Sequence, residues 1–122
     1  MIIAVLLYNN IAMVSLDAQF SALADPTRRA ILARLAQGEA TVSELQGPLG
    51  ISQPAVSRHL KLLEEAGLIE QSRAAQARPR RLKPDGLDAA RNWIAELRDL
   101  WSDSFDRLEA FLADPTTEIS DD

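Results

Sequence analysis

The stretch "ISQPAVSRHLKLLEEAGLI", residues 51–69, joins two unlike halves. From Leu60 onward it is an ordinary amphipathic helix with leucines at helical spacing. Its first half offers Ser52, Gln53, Ser57, Arg58 and the only histidine of the chain, His59, where a core-forming helix would carry bulk. Ser52 reads as an N-cap, and Pro54 falls in the first turn, where a proline costs no hydrogen bond. Val56, Leu60 and Leu63 at i, i+4 and i+7 predict a core stripe. Gln53, Ser57, Arg58 and Lys61 then fall on the opposite side, and Gly67 ends the helix.

On either side of this stretch the punctuation marks further elements. Upstream, "TVSE" at 41–44 is a capping box, with Thr41 as cap and Glu44 reaching back, opening a short helix that ends near Leu49 and Gly50. Before it, Asp25 as N-cap and Pro26 at the first helical position start a helix whose stripe is Ile31, Leu32 and Leu35, with Gly38 as its left-handed stop. Residues 16–24, "LDAQFSALA", predict a first short helix with Leu16, Phe20 and Leu23 on one side. Downstream the period changes, and "LIEQSR" and "RPRRL" predict two short strands joined by "AAQA", with Pro79 implying an edge position. From about Leu87 to Leu112, apolar residues recur at three- and four-residue steps, which predicts one long helix of roughly 40 Å.

At 122 residues, 47% hydrophobic and 25% charged, the chain has the make-up of one soluble globular domain. It has no cysteine, so it has no disulfide framework, thiol nucleophile or thiolate ligand, which fits a reducing cytoplasm. The opening "MIIAVLLYNNIAMV" lacks the basic region of a secretory signal and is too short to span a bilayer, so no membrane association is expected. Residues 1–15 therefore read as an apolar extension, with Met13 as an alternative start. The other reading is an arm packing on a partner subunit, and residues 2–7 are expected to be buried if ordered. Residues 16–113 form the domain, and 114–122 a flexible acidic tail.

The net charge of −5 argues against nucleic acid only until it is mapped. Residues 1–51 carry three arginines against four acids, and residues 84–122 three arginines against eleven. Residues 52–83 carry seven basic side chains against three acids. Screening over about 8 Å in physiological salt keeps the distant acids from cancelling that basic window. Two short helices meeting at a tight turn, followed by a basic hairpin, make the pattern of a winged helix-turn-helix: mainly α, with a small β-hairpin wing. A helix entering the major groove presents base-reading side chains near its N-terminus and anchors its rear half in the core. Gln53 suits adenine, Arg58 guanine, and Ser57 a base edge or a phosphate. Thr41 and Ser52 cap helix N-termini, which are natural phosphate seats. Arg73, Arg78, Arg80 and Arg81 of the wing would lie along the adjacent backbone or in the minor groove.

With these elements in place, "ALADPTRRAILARLAQGEATVSELQGPLGISQPAVSRHLKLLEEAGLIEQSR" closely resembles the arsenical-resistance repressor (ArsR/SmtB) family of bacterial regulators. The likeness covers about residues 20–112. It implies a homodimer held by the first and last helices on an imperfect palindrome of double-stranded DNA, with Gln53, Ser57, Arg58 and His59 facing the bases. Leu16, Phe20, Leu23, Trp93, Leu97, Leu100, Trp101, Phe105 and Leu108 are the residues expected at the dimer interface. Metal-sensing members carry a cysteine pair where Thr41 and Ser43 stand here, and the last helix has no histidine. One histidine cannot supply the nitrogen or sulfur ligands such an ion prefers, so no metal or other cofactor is expected. "DPTRR" and two tryptophans on the last helix are more like the metal-independent branch. The wing turn departs from the family pattern in lacking glycine.

The same residues admit other readings. His59 beside Leu60 reads alone as a partly buried helix residue, and Glu64 and Glu65 as solvated partners of Lys61. No acid opposes the wing arginines within residues 71–84. A winged-helix module that binds another protein is the alternative to a DNA-binding repressor. One histidine, no nucleophile elbow and no phosphate loop argue against an enzyme. The inducing effector is not legible.

Overall fold

The structure, a computed structural model, describes residues 14–73 and 76–113. The apolar opening, two residues of the wing loop and the acidic tail lie outside the described residues, and with them the expectations for 1–13 and 114–122. Among the described residues five helices and one hairpin follow in the order α1 (Val14–Leu23), α2 (Pro26–Leu35), α3 (Val42–Leu49), α4 (Gln53–Glu65), β1 (Ile69–Gln71), β2 (Arg80–Leu82) and α5 (Asp88–Ala113). Among the described residues no helix is long and apolar enough to cross a membrane.

Local chemistry sets each boundary. The Asp25 carboxylate accepts the Arg28 N–H at 3.0 Å, and Pro26 opens α2 behind it. Thr41 and Glu44 form the reciprocal capping box of α3. Gly50 then takes a left-handed φ of +67°, a conformation costly for a side chain, and the chain re-enters a helix after Ser52, whose Oγ accepts the Ala55 N–H at 3.3 Å. The end of α2 differs from expectation. It closes on Ala36 in a right-handed turn, and Gly38 follows two residues later at φ +143°.

Val56, Leu60 and Leu63 of α4 are fully buried beside Ile31 of α2 and Leu45 of α3, forming one contiguous core with Leu68 and Ile69 at the root of the hairpin. β1 and β2 are antiparallel, pairing Ile69 with Leu82, Glu70 with Arg81 and Gln71 with Arg80. With only two strands in the sheet, β2 is an edge strand, as Pro79 implies. On its far side β2 makes a single-residue bridge to Ala40, whose carbonyl accepts the Arg80 N–H at 2.8 Å. Pro79 precedes it, and only its carbonyl is used, by the Ser72 N–H at 2.7 Å.

One buried polar residue ties the frame together. Gln19 of α1 donates from Nε2 to the carbonyls of Ala66, at 3.0 Å, and Gly86, at 2.8 Å, joining α1 to the end of α4 and to the turn before α5. A Cβ at Gly86 would stand 2.8 Å from the Gly67 carbonyl, so this close approach requires glycine. Phe20 meets Trp93 edge-on with centroids 5.7 Å apart, which packs α1 on the first half of α5. From Trp101 onward every residue of α5 is exposed. Leu16, expected at the dimer interface, is corrected to the chain's own core, being only 2% exposed.

Candidate nucleic-acid interface

The outer side of α4 follows from the burial of its inner side. With Val56, Leu60 and Leu63 turned into the core, Gln53, Ser57, Arg58 and Lys61 are all exposed. No ion pair or side-chain hydrogen bond holds Arg58 or Lys61 among the described residues. Pro54 and Ala55 keep the tip of the helix slim, so its backbone can come close to a flat or grooved partner. The two capping hydroxyls, Thr41 and Ser52, sit at the starts of α3 and α4, and each accepts one helix N–H.

His59 turns away from this surface. It is partly buried, and its Nδ1 accepts from Arg28 Nη1 at 3.2 Å and stands 4.0 Å from an Asp25 carboxylate oxygen. Arg28 also donates through Nε to the Ala22 carbonyl at 2.9 Å. The histidine therefore joins α4 to the α1–α2 junction and is not one of the outward side chains, a correction to the set drawn from the sequence. The Arg28 N–H in particular, together with the Arg28 charge, holds the Asp25 carboxyl below the usual carboxylate range. The Thr41 N–H does the same for Glu44.

The hairpin divides its arginines. Arg80 is bound to Glu64 of α4, Nε to Oε2 at 3.0 Å, with only 16% of its side chain exposed. Gln71 donates to the same carboxylate at 3.2 Å. Arg81 pairs with Glu70 across the strands at 2.9 Å. So Glu64 is a wing anchor and not a solvated partner of Lys61, and acids from outside residues 71–84 oppose two of the four wing arginines. Arg73 and Arg78 are exposed, Arg78 at a φ of +49°, with its carbonyl accepting from Arg80 Nη1 at 3.0 Å. The outward cations are thus Arg58 and Lys61 on α4 and Arg73 and Arg78 on the wing. Sequence reasoning missed Gln19 and Glu64 as the residues that fix this frame.

The geometry has counterparts. Residues 23–72 match a family described as a helix-turn-helix domain. The HTH-type transcriptional regulator Rv2034 of Mycobacterium tuberculosis is 49% identical over 75 residues, which span 62% of this chain and 70% of that protein. The transcriptional repressor SdpR of Bacillus subtilis is 36% identical over 62% of this chain and 83% of its own. Among solved structures, the ArsR family transcriptional regulator RHA00566 superposes with a TM-score of 0.66 at 40% identity, covering 72% of this chain and 91% of that one. The homodimeric winged helix-turn-helix DNA-binding domain of Mb0332 from Mycobacterium bovis gives a TM-score of 0.59 at 28% identity, over 77% and 83% of the two chains.

Proposed function

We propose that this chain, which belongs to the ArsR family of transcriptional regulators, acts as a homodimeric repressor that occupies a palindromic operator and denies it to the transcription machinery. The observation that carries the reading is the split of α4, whose rear half is fixed in the core while Gln53, Ser57, Arg58 and Lys61 face out from its leading turns. In the major groove, Gln53 and Arg58 read base edges, and Ser57 and Lys61 hold base or phosphate. The wing cations Arg73 and Arg78 follow the neighbouring backbone. Arg80 and Arg81 act one step back, stiffening the wing through Glu64 and Glu70. His59 positions the helix and does not read sequence.

The apolar side of α5 supports the dimer. Trp101, Phe105 and Leu108 are each more than half exposed in the single chain, although large apolar side chains are favoured in contact. The homodimeric neighbour from Mycobacterium bovis supports a dimer. In a two-fold dimer Trp101, Phe105 and Leu108 face their equivalents, and Phe20, Leu23, Trp93, Leu97 and Leu100 flank them.

The chain fits the metal-independent branch. Thr41 and Ser43 stand where metal sensors carry cysteines, and the Thr41 hydroxyl already serves the cap of α3. Among the described residues no three His, Cys, Asp or Glu side chains gather as a ligand set. Regulation of transcription without catalysis, in the cytoplasm where bacterial DNA lies, completes the reading. The test is selection of bound duplexes from a random pool, followed by a salt titration of the winner. A two-fold symmetric consensus whose affinity falls steeply with salt is the expected result. Recovery of no sequence above the starting pool would overturn the proposal.

A further inference from the structure

Away from the outward cations lies a cavity of about 500 Å³ between the end of α1, the outer side of α2, the foot of the wing and the approach to α5. Its walls are aliphatic, with Leu23, Leu32, Ala36, Leu68, Leu82 and Leu87 supplying most of the surface. Leu87, at its mouth, is 53% exposed. Two cations, Arg29 and Lys83, border it, and no acidic side chain lines it. Arg29 donates from Nη1 to the Leu23 carbonyl at 2.8 Å, which fixes the guanidinium at the end of α1 while its other N–H groups remain available. Lys83 has no ion pair among the described residues.

We propose that this cavity is an effector site for an amphipathic monoanion, an aliphatic carboxylate whose chain lies on the leucines and whose head is held by Arg29 and Lys83. The size is within the usual range of small-molecule sites, roughly 300–1,000 Å³. The absence of aromatic rings in the lining favours a flexible aliphatic body over a stacking one. A planar guanidinium fork matches a carboxylate in two parallel hydrogen bonds. The regulatory consequence rests on the DNA-binding reading. Leu82 ends β2 and Lys83 continues it, so an occupant grips the foot of the wing whose far end carries Arg78. Ligand and operator then alter each other's affinity by the same factor, as linkage requires.

Calorimetry on the full chain without DNA tests the site apart from the regulator reading. Decanoate, kept below its micellar concentration, is the probe, with decanol as its uncharged counterpart. One decanoate per chain is expected, with decanol and the Lys83→Gln variant each about tenfold weaker, the loss of a charge-assisted contact. Ala33→Trp, which projects a ring into the cavity from the exposed side of α2, is expected to abolish binding while the circular dichroism spectrum is retained. No binding to the wild-type chain, equal affinity for decanoate and decanol, or unaltered binding by Ala33→Trp would each overturn the site. Sedimentation as a monomer once decanoate is bound would overturn it too, by assigning the cavity to a second copy. With a selected operator present, decanoate affinity is expected to change at least threefold. No change would reject the effector role, whereas failure to select any operator would reject the DNA-binding reading and leave the calorimetric result standing.

Discussion

Arg58 stands on the outer side of α4 with no intramolecular partner among the described residues, so replacing it removes no contact that holds the fold. Arg58→Ala is expected to weaken operator binding by about 1–3 kcal/mol and to relax the preference at one base position, with the thermal midpoint unchanged. Competition against operator variants measures both. Unaltered affinity and preference would remove Arg58 from the reading set. Leu60, two positions on, behaves oppositely. It is 1% exposed, and Leu60→Ala is expected to cost about 2–5 kcal/mol of stability in denaturant unfolding. This alternation was legible because it depends only on spacing along one helix. His59 was less so. The sequence places it at the margin between the two sides, but its partners, Asp25 and Arg28, lie 34 and 31 residues earlier and meet it only when α2 packs on α4. Gln19 carried a usable signal, since it recurs three residues after Leu16 on the apolar side of α1 and so had to be buried with partners.

At the scale of elements, helix starts were the most readable features, because a cap and its N–H lie three residues apart. Those caps also carry a pH dependence. The folded state holds the carboxyls of Asp25 and Glu44 below their ordinary values, so each contributes stability that is present above the ordinary carboxylate range. That contribution is lost as pH falls through the lowered folded values. Asn caps as well as Asp, so Asp25→Asn is expected to keep the neutral-pH midpoint and to flatten the acid limb of midpoint against pH. An unchanged acid limb would mean that the Asp25 charge does not matter. The wing was half legible. Its strands were readable from the change of period, whereas its ion pairs join residues 16 and 11 positions apart and required the observed packing and register. A separation follows between two variants of the same charge change. Arg78→Gln is expected to weaken binding to all duplexes alike and to reduce the salt slope by about one. Arg80→Gln leaves Glu64 without its cation, and its main expected effect is a lower midpoint of unfolding. If both variants alter salt slope equally and stability not at all, the division of the wing arginines is wrong.

For the whole molecule, the acidic balance and the basic window belong to different regions. Eleven of the 18 acids fall after residue 83, six of them on α5, while the outward cations sit on α4 and the wing. The second half of α5 has neither core beneath it nor a neighbour over it among the described residues, yet it stacks Trp101 on Phe105 at 6.4 Å and exposes Leu108 and Leu112 alongside. A long helix was readable from its repeat, but the repeat does not distinguish a side that packs at home from one that packs on a partner. The distinction comes from Phe20 and Trp93, which occupy each other, while Trp101 is 59% exposed. Joining two chains across this side accounts for its exposure and would space two copies of α4 for successive major grooves, about 34–36 Å apart. Trp101→Glu puts a charge at the centre of that seam, where two-fold pairing would bury two like charges. The variant is expected to sediment as a folded monomer at micromolar concentration, with the near-native circular dichroism of a chain whose own core is untouched. Its operator affinity is expected to drop by orders of magnitude, because one recognition helix per molecule then faces one half-site alone. A variant that stays dimeric, or a monomer that binds the full operator as tightly as the parent chain, would place the two-fold contact somewhere other than α5.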